Sequence, residues 1–383
     1  MNAQRTYLDY NATAPVRPAV REAMVEALAT VGNPSSVHAE GRAARGRVED
    51  ARLEVAALVD ADPQDVIFTS GGTEANVLAL RGAIAGQGVE TLIVSAIEHP
   101  SVLQTARLAG VRTLEIPAAA DGAIELDALA ACLARADGRC LVSVMAANNE
   151  TGAVQPVEEA SALARDHGAL MHVDAVQAAG RLALGPMTSG ADMITLSAHK
   201  IGGPQGIGAL IVRDGADPAP VLTGGGQERR LRAGTENVAA IAGFAAAAAC
   251  VRKETEEPGR LAEMRDRLEA DIVADIDGAV VFGSGTVRRL ANTTCLAVPG
   301  ISAEFLVMAL DLAGFAVSSG AACSSGKVTR SHVLEAMGIE PALAAGAIRV
   351  STGWATTPDE IARFSQALKD ICTREAARSG LAA

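Results

Sequence analysis

The chain has 383 residues, 49% of them hydrophobic and 20% charged, with a formal charge of −12. That length suits a large domain with a smaller companion, and the composition excludes a disordered chain. The acidic balance argues against nucleic acid or an anionic membrane as the main partner, since both require a basic face.

Residues 1–6 lack the apolar core of a signal peptide, so a cytoplasmic protein is expected. Seven short apolar runs, at residues 66–69, 92–95, 113–116, 141–146, 170–174, 193–197 and 208–212, predict strands. Helical patterns at 74–85, 126–136 and 157–167 fall between them. This alternation predicts a largely parallel sheet covered on both faces, which binds ligands at the carboxyl ends of its strands. The loop Gly224-Gly225-Gly226-Gln227-Glu228-Arg229-Arg230 breaks the pattern, and an alanine-rich helix over 237–250 follows, too short to span a bilayer. The charged turn 253–259 predicts a domain boundary. Beyond it, a helix over 261–276 and several strand runs predict a smaller α+β domain.

Only four of the 33 basic residues are lysines, and Lys200 closes the strand-like run that begins at Met193. Asp174 closes the run before it, with Gln177 just beyond. A lysine at the mouth of one buried strand and an acid at the mouth of another suit a pyridoxal phosphate (PLP) enzyme. The amine forms a Schiff base with the cofactor aldehyde, and the carboxylate pairs with the pyridinium nitrogen.

Other polar groups stand at the same rim. Phe68-Thr69-Ser70-Gly71-Gly72-Thr73-Glu74-Ala75-Asn76 ends a strand, turns on two glycines and opens a helix, which offers a phosphate cradle. No Walker lysine follows, and the glycines at 202–208 do not read GxGxxG, so nucleotide sites are disfavoured. His99 follows the strand 92–95, where it can stack on a planar ring and move protons. Asn148-Asn149-Glu150-Thr151-Gly152 follows the run 141–146, and Arg349 interrupts the apolar run 347–351, where it can clamp a carboxylate. Each also has a plain reading: a connector turn, a structural histidine, turn-forming asparagines, a solvated arginine.

The six cysteines, Cys132, Cys140, Cys250, Cys295, Cys323 and Cys372, show no CxxC spacing, so neither a disulfide nor a zinc site is expected. Five read as small buried hydrophobes. Cys323 differs, because Ser318-Ser319-Gly320-Ala321-Ala322 and Ser324-Ser325-Gly326 surround it with small residues. That setting reads as an exposed, mobile loop, either a reactive thiol or a plain surface one.

Together these motifs, with Tyr7-Leu8-Asp9-Tyr10-Asn11-Ala12-Thr13-Ala14-Pro15, Gly32-Asn33-Pro34-Ser35-Ser36 and Arg232-Ala233-Gly234-Thr235-Glu236-Asn237, resemble the cysteine desulfurases. These are the NifS/IscS-like group of class V aminotransferases, with the PLP fold-type I architecture, and the resemblance runs along nearly the whole chain. It implies an α/β fold with a mainly parallel seven-stranded sheet. Residues 13–254 would form the large PLP-binding domain, and 1–12 with 255–383 the small α+β domain carrying the Cys323 loop.

The resemblance also implies roles. Lys200 bonds the cofactor and shuttles the Cα proton, Asp174 pairs with the ring nitrogen, Gln177 contacts the ring hydroxyl and His99 stacks on the ring. Gly72, Thr73, Ser197 and His199 hold the phosphate, with Thr235 reaching in from the other subunit of a homodimer. Asn149, Arg349 and Asn33 bind substrate, and Cys323 is the nucleophile that takes sulfur from L-cysteine as a persulfide. An acceptor or iron–sulfur scaffold protein then receives the sulfur, and Cys323 touches a cluster at most transiently. The loop departs mildly from the family pattern, with Ala321 and Ser324 where Ser and Thr are usual. The alternatives are a selenocysteine lyase, another class V PLP reaction, or a non-catalytic sulfur-relay protein. The intact set of motifs argues against the last.

Overall fold

A computed structural model describes residues 5–285, 287–320 and 330–379, so the expected nucleophile Cys323 lies outside the described residues. The seven expected strands form one sheet: β1 (Val66–Thr69), β2 (Val89–Ser95), β3 (Arg112–Ile116), β4 (Arg139–Met145), β5 (Leu170–Asp174), β6 (Met193–Ser197) and β7 (Gly208–Val212). Their spatial order is β1-β7-β6-β5-β4-β2-β3. Only β7 runs against its neighbours. The ten residues between β6 and β7 are too few for the crossover that a parallel connection needs.

The continuous apolar runs arise because both faces are buried. Along β4, Leu141 packs into one core with Leu78, Ala79 and Leu103 of the helices Gly72–Gln87 and Pro100–Arg107. Val142 and Val144 pack into the opposite core with Val48, Ile241 and Phe244 of the helices Ala39–Ala56 and Val238–Lys253. The period-two alternation thus feeds two cores instead of separating core from solvent.

A second, antiparallel sheet joins the strands Ser318–Ser319, Ile348–Ser351, Thr293–Ala297 and Val280–Phe282 in that order. The helices Glu257–Asp275, Ala303–Leu312 and Pro358–Ser379 back it through Leu268, Ile272, Leu306, Leu310, Phe364 and Leu368. Near the amino terminus, Thr6–Tyr7 pairs in parallel with Phe315–Ala316, and Leu8 is buried in this second core.

Several boundaries move. Strand β2 starts at Val89 and not 92, since the exposed Glu90 breaks the apolar run. The charged turn expected over 253–259 is shorter, because Glu257, Pro258 and Gly259 already form the first turn of a helix. Proline is tolerated there, where its missing N–H has no helical partner to lose. Of the five cysteines expected as buried hydrophobes, four are buried and Cys250 is half-buried. Among the described residues no helix is long and apolar enough to cross a membrane.

The loop after β7 is held in an unusual conformation. Glu228, Arg229 and Arg230 all adopt positive φ, at 44°, 54° and 67°. Such residues cost about 1–3 kcal/mol each and persist only when their surroundings over-determine them. Here the buried Glu228 carboxylate accepts from Arg52 Nη1 and Nη2, both at 2.7 Å, and from the Phe68 N–H at 2.9 Å. Glu228→Ala is expected to cost about 3–5 kcal/mol, because it leaves the buried Arg52 charge without its carboxylate partner. Chemical denaturation of the two proteins checks this, and a cost under about 1 kcal/mol would contradict it.

Candidate active site

A cavity of about 270 Å³ opens at the carboxyl ends of β2, β4, β5 and β6 and the helix start after β1. It gathers Gly72, Thr73, His99, Asn149, Asp174, Gln177, Ser197, His199, Lys200 and Arg349 in one place. Two predicted site residues fall outside it. Asn33 is exposed and its Oδ1 accepts from the Ser35 N–H at 2.9 Å. Thr235 is exposed and lines a neighbouring pocket with Arg232 and Asn237.

Strand ends set the positions. One 3₁₀ turn after β6, Ala198–Lys200, carries Lys200 onto the cavity wall. Its Nζ donates to the carbonyls of Asn11 at 2.5 Å and Ala12 at 2.8 Å. Asp174 ends β5, opposite Thr195 of β6. Its Oδ2 accepts from Asn76 Nδ2 at 2.7 Å and its Oδ1 from the Val176 N–H at 3.0 Å. Arg349, only 1% exposed, comes from the second sheet. It donates through Nη2 to Asp9 Oδ1 at 2.8 Å and through Nη1 to the Asn149 carbonyl at 3.0 Å.

Asn76 also donates to Ser101 Oγ at 2.9 Å, which holds that hydroxyl beside His99. The Ser101 N–H can only donate, and it meets His99 Nδ1 at 3.1 Å, so the Ser101 hydroxyl, 2.7 Å from the same nitrogen, gives its own proton to it. Nδ1 is therefore an acceptor, and the neutral ring carries its proton on Nε2. Burial, followed by the Lys200 and His332 charges, lowers the His99 pKa against the opposing pull of Asp174. Burial and then Lys200 push His199 down to about 4.

The cavity suits a phosphorylated aromatic ring. Ser197 Oγ and Asn76 Oδ1 are buried and find no hydrogen-bond partner among the described residues. Such atoms are costly unless a ligand satisfies them. Gly71 turns at φ 156° and ψ 177°, a region essentially restricted to glycine, and so brings the helix start onto the rim. At Gly72 a Cβ would lie 3.0 Å from Val176 Cγ2, so Val176 would have to shift to admit one. The helix start carries Glu74, which would repel a phosphate, but Arg232 Nε pairs with it at 2.8 Å.

Sequence reasoning missed Asn76, Ser101 and two buried acids. Asn76 had a signal, as one polar residue on a helix face otherwise made of Ala75, Leu78, Ala79 and Ala83. Glu98 is fully buried with Oε1 on the Met145 N–H at 2.5 Å, and burial, then the Asp174 charge, raises its pKa well above the usual range. Glu150 is buried against the Ser331 hydroxyl, and burial raises its carboxyl to about 7. The fold therefore keeps a proton on Glu150 that the unfolded chain releases near 4.5, so stability falls as pH rises from about 4.5 to about 7. Glu150→Gln is expected to flatten that decline, read as melting temperature against pH. Parallel wild-type and variant curves would contradict the assignment.

A family model described as Aminotransferase class-V matches residues 6–364. The chain is 40% identical over 387 residues to an IscS-like cysteine desulfurase of Mycobacterium tuberculosis, covering 98% of each chain. It is 43% identical over 375 residues to a cysteine desulfurase of Cereibacter sphaeroides, covering 96% of each. Among solved structures it is similar to a NifS-like protein from Rickettsia africae, with a TM-score of 0.88 at 33% identity, covering 96% of this chain and 99% of that one. With the sheet, the rim and these relatives in agreement, the chain belongs to the PLP-dependent class V aminotransferase family, among the IscS/NifS-like cysteine desulfurases.

Proposed function

We propose that the chain is a cysteine desulfurase that removes sulfur from L-cysteine, leaves L-alanine, and passes the sulfur to an acceptor protein for iron–sulfur cluster or thio-cofactor synthesis. The observation that carries this is the convergence of Lys200, Asp174, His99 and Arg349 on one cavity, in a chain whose relatives bear that name. Those names favour the desulfurase over a selenocysteine lyase or another class V reaction.

When bound, PLP supplies an electron sink for the substrate's Cα. Lys200 Nζ is the amine that holds the cofactor and moves the proton at Cα. Asp174 would pair with the ring nitrogen, Gln177 with the ring hydroxyl, and His99 would stack on the ring. Gly72, Thr73, Ser197 and His199 hold the phosphate, and Asn149 and Arg349 hold the substrate carboxylate. The Cys323 thiolate attacks the substrate sulfur. An S–S bond forms, the Cβ–S bond breaks, and its electron pair stays on the carbon residue, which leaves as alanine after protonation. Both described flanks of the Cys323 segment reach the rim, since Ser318 Oγ donates to Asp9 at 2.9 Å and His332 Nε2 lies 2.9 Å from the Glu98 carbonyl.

In this reading residues 13–254 form the large domain, and 1–12 with 255–383 the small one. The protein works as a homodimer in the cytoplasm. Five free thiols among the described residues suit a reducing compartment. Pro34 and Ser35, next to Asn33, share a groove with Gly226 to Arg229 and Glu236, so Asn33 and Thr235 flank one face. That face meets the partner subunit and brings both residues to its site.

Purified wild-type protein is expected to be yellow and to make alanine from cysteine. Lys200→Ala is expected to lose both colour and activity, and Cys323→Ser to stay yellow while losing sulfur release. Visible spectra and an alanine assay check this. Wild-type sulfur release by Cys323→Ser would remove that thiol from the mechanism.

A further inference from the structure

Lys200 leaves the large sheet, whereas Arg349 belongs to the strand Ile348–Ser351 of the small one. An amino acid bound between them, amine toward one and carboxylate toward the other, needs their separation fixed. Asn11 touches both sides. It is 1% exposed, and its carbonyl accepts from Lys200 Nζ at 2.5 Å and from Gln177 Nε2 at 3.0 Å.

Its side chain works in the other direction. Nδ2 donates to Thr293 Oγ1 at 2.9 Å, on the strand paired with that of Arg349. Nδ2 also reaches the Asn149 carbonyl at 3.2 Å, the oxygen that Arg349 Nη1 meets at 3.0 Å. Asn292 Nδ2 donates to Asn11 Oδ1 at 3.1 Å, and the Asn11 N–H donates to Ser351 Oγ at 3.0 Å. A carbonyl can only accept, so the contact with Asn149 fixes which way the amide points. Every polar atom of Asn11 is thus engaged, the carbonyl toward the lysine and the amide toward the arginine's sheet.

We infer that Asn11 is a positioning residue that sets the spacing between Lys200 and Arg349, and so the fit of the amino-acid substrate. The inference rests on the roles proposed above for those two residues. Its geometry separates two functions. The contacts with Lys200 and Gln177 use the main chain and survive any side-chain change, while those with Thr293, Asn292 and Asn149 use the amide. Removing the amide therefore loosens the carboxylate end and leaves the cofactor end in place. Small displacements of that kind weaken binding steeply, because the substrate must meet both ends at once.

The test compares wild type with Asn11→Ala as PLP-loaded proteins. In the variant, the KM for L-cysteine and the Kd for L-alanine, read from the cofactor's visible band, are expected to rise about tenfold, as for loss of a hydrogen-bonded support. The kcat is expected to change less than about threefold, and the PLP affinity and the visible band of the unliganded protein to stay the same. Unchanged KM and Kd would overturn the inference, as would loss of PLP together with substrate, which marks a general structural role. If Asn11→Ala cannot be recovered folded, Thr293→Val removes one acceptor of the amide at constant shape. A KM rise of about threefold is then expected, and an unchanged KM overturns the proposal. Wild type that makes alanine beside unaffected variants defeats this inference alone. Wild type that makes none defeats the functional reading, and this inference with it.

Discussion

Strands β5 and β6 lie side by side with Asp174 opposite Thr195, and that register fixes where a carboxylate and an amine emerge from the sheet. Both faces of the sheet are buried, so polar groups along the strands are admitted only where they are satisfied, and polar chemistry gathers at the strand ends. The ends that meet there belong to parallel strands, so their loops converge on one rim. Lys200, Asp174, His99 and Asn149 are neighbours for that reason, though 100 residues lie between His99 and Lys200 in the chain.

The layer beneath the rim keeps the site rigid and largely neutral. Two residues back along β5, on the same face as Asp174, His172 is fully buried between Ser143 Oγ at 2.8 Å and Thr195 Oγ1 at 3.0 Å. Burial lowers its pKa to about 4, so it stays uncharged at neutral pH. Burial raises Glu98 and so favours its neutral form as well. The charges that remain at the cavity, Lys200, Asp174 and Arg349 with its partner Asp9, act at short range in a medium that screens them poorly. Asn76 links two of the working groups by holding both Asp174 and the serine that orients His99.

Much of this was legible in the sequence. The strand runs could be read because double-sided burial makes them continuously apolar, and Lys200 stood out because so few lysines compete with it. The rest depended on contacts between distant segments. Nothing in the order of residues says that Asn11 meets Asn149, Asn292 and Thr293, or that Glu228 meets Arg52. Glu98 and Glu150 were missed because an isolated acid in a sequence reads as solvated, and only the fold shows it buried. The helix starting at Glu257 was hidden by Pro258 and Gly259, which mark a turn everywhere except in the first turn of a helix.

In the proposed reaction a lysine and an acid at one rim prepare L-cysteine for attack by a thiol carried on a separate segment. Mass spectrometry of the Cys323 peptide, after incubation with L-cysteine and without reductant, separates these roles. One added sulfur atom is expected on Cys323 in wild type and none in Lys200→Ala. Unmodified Cys323 in a protein that still turns cysteine into alanine, or equal modification without Lys200, would rule these roles out.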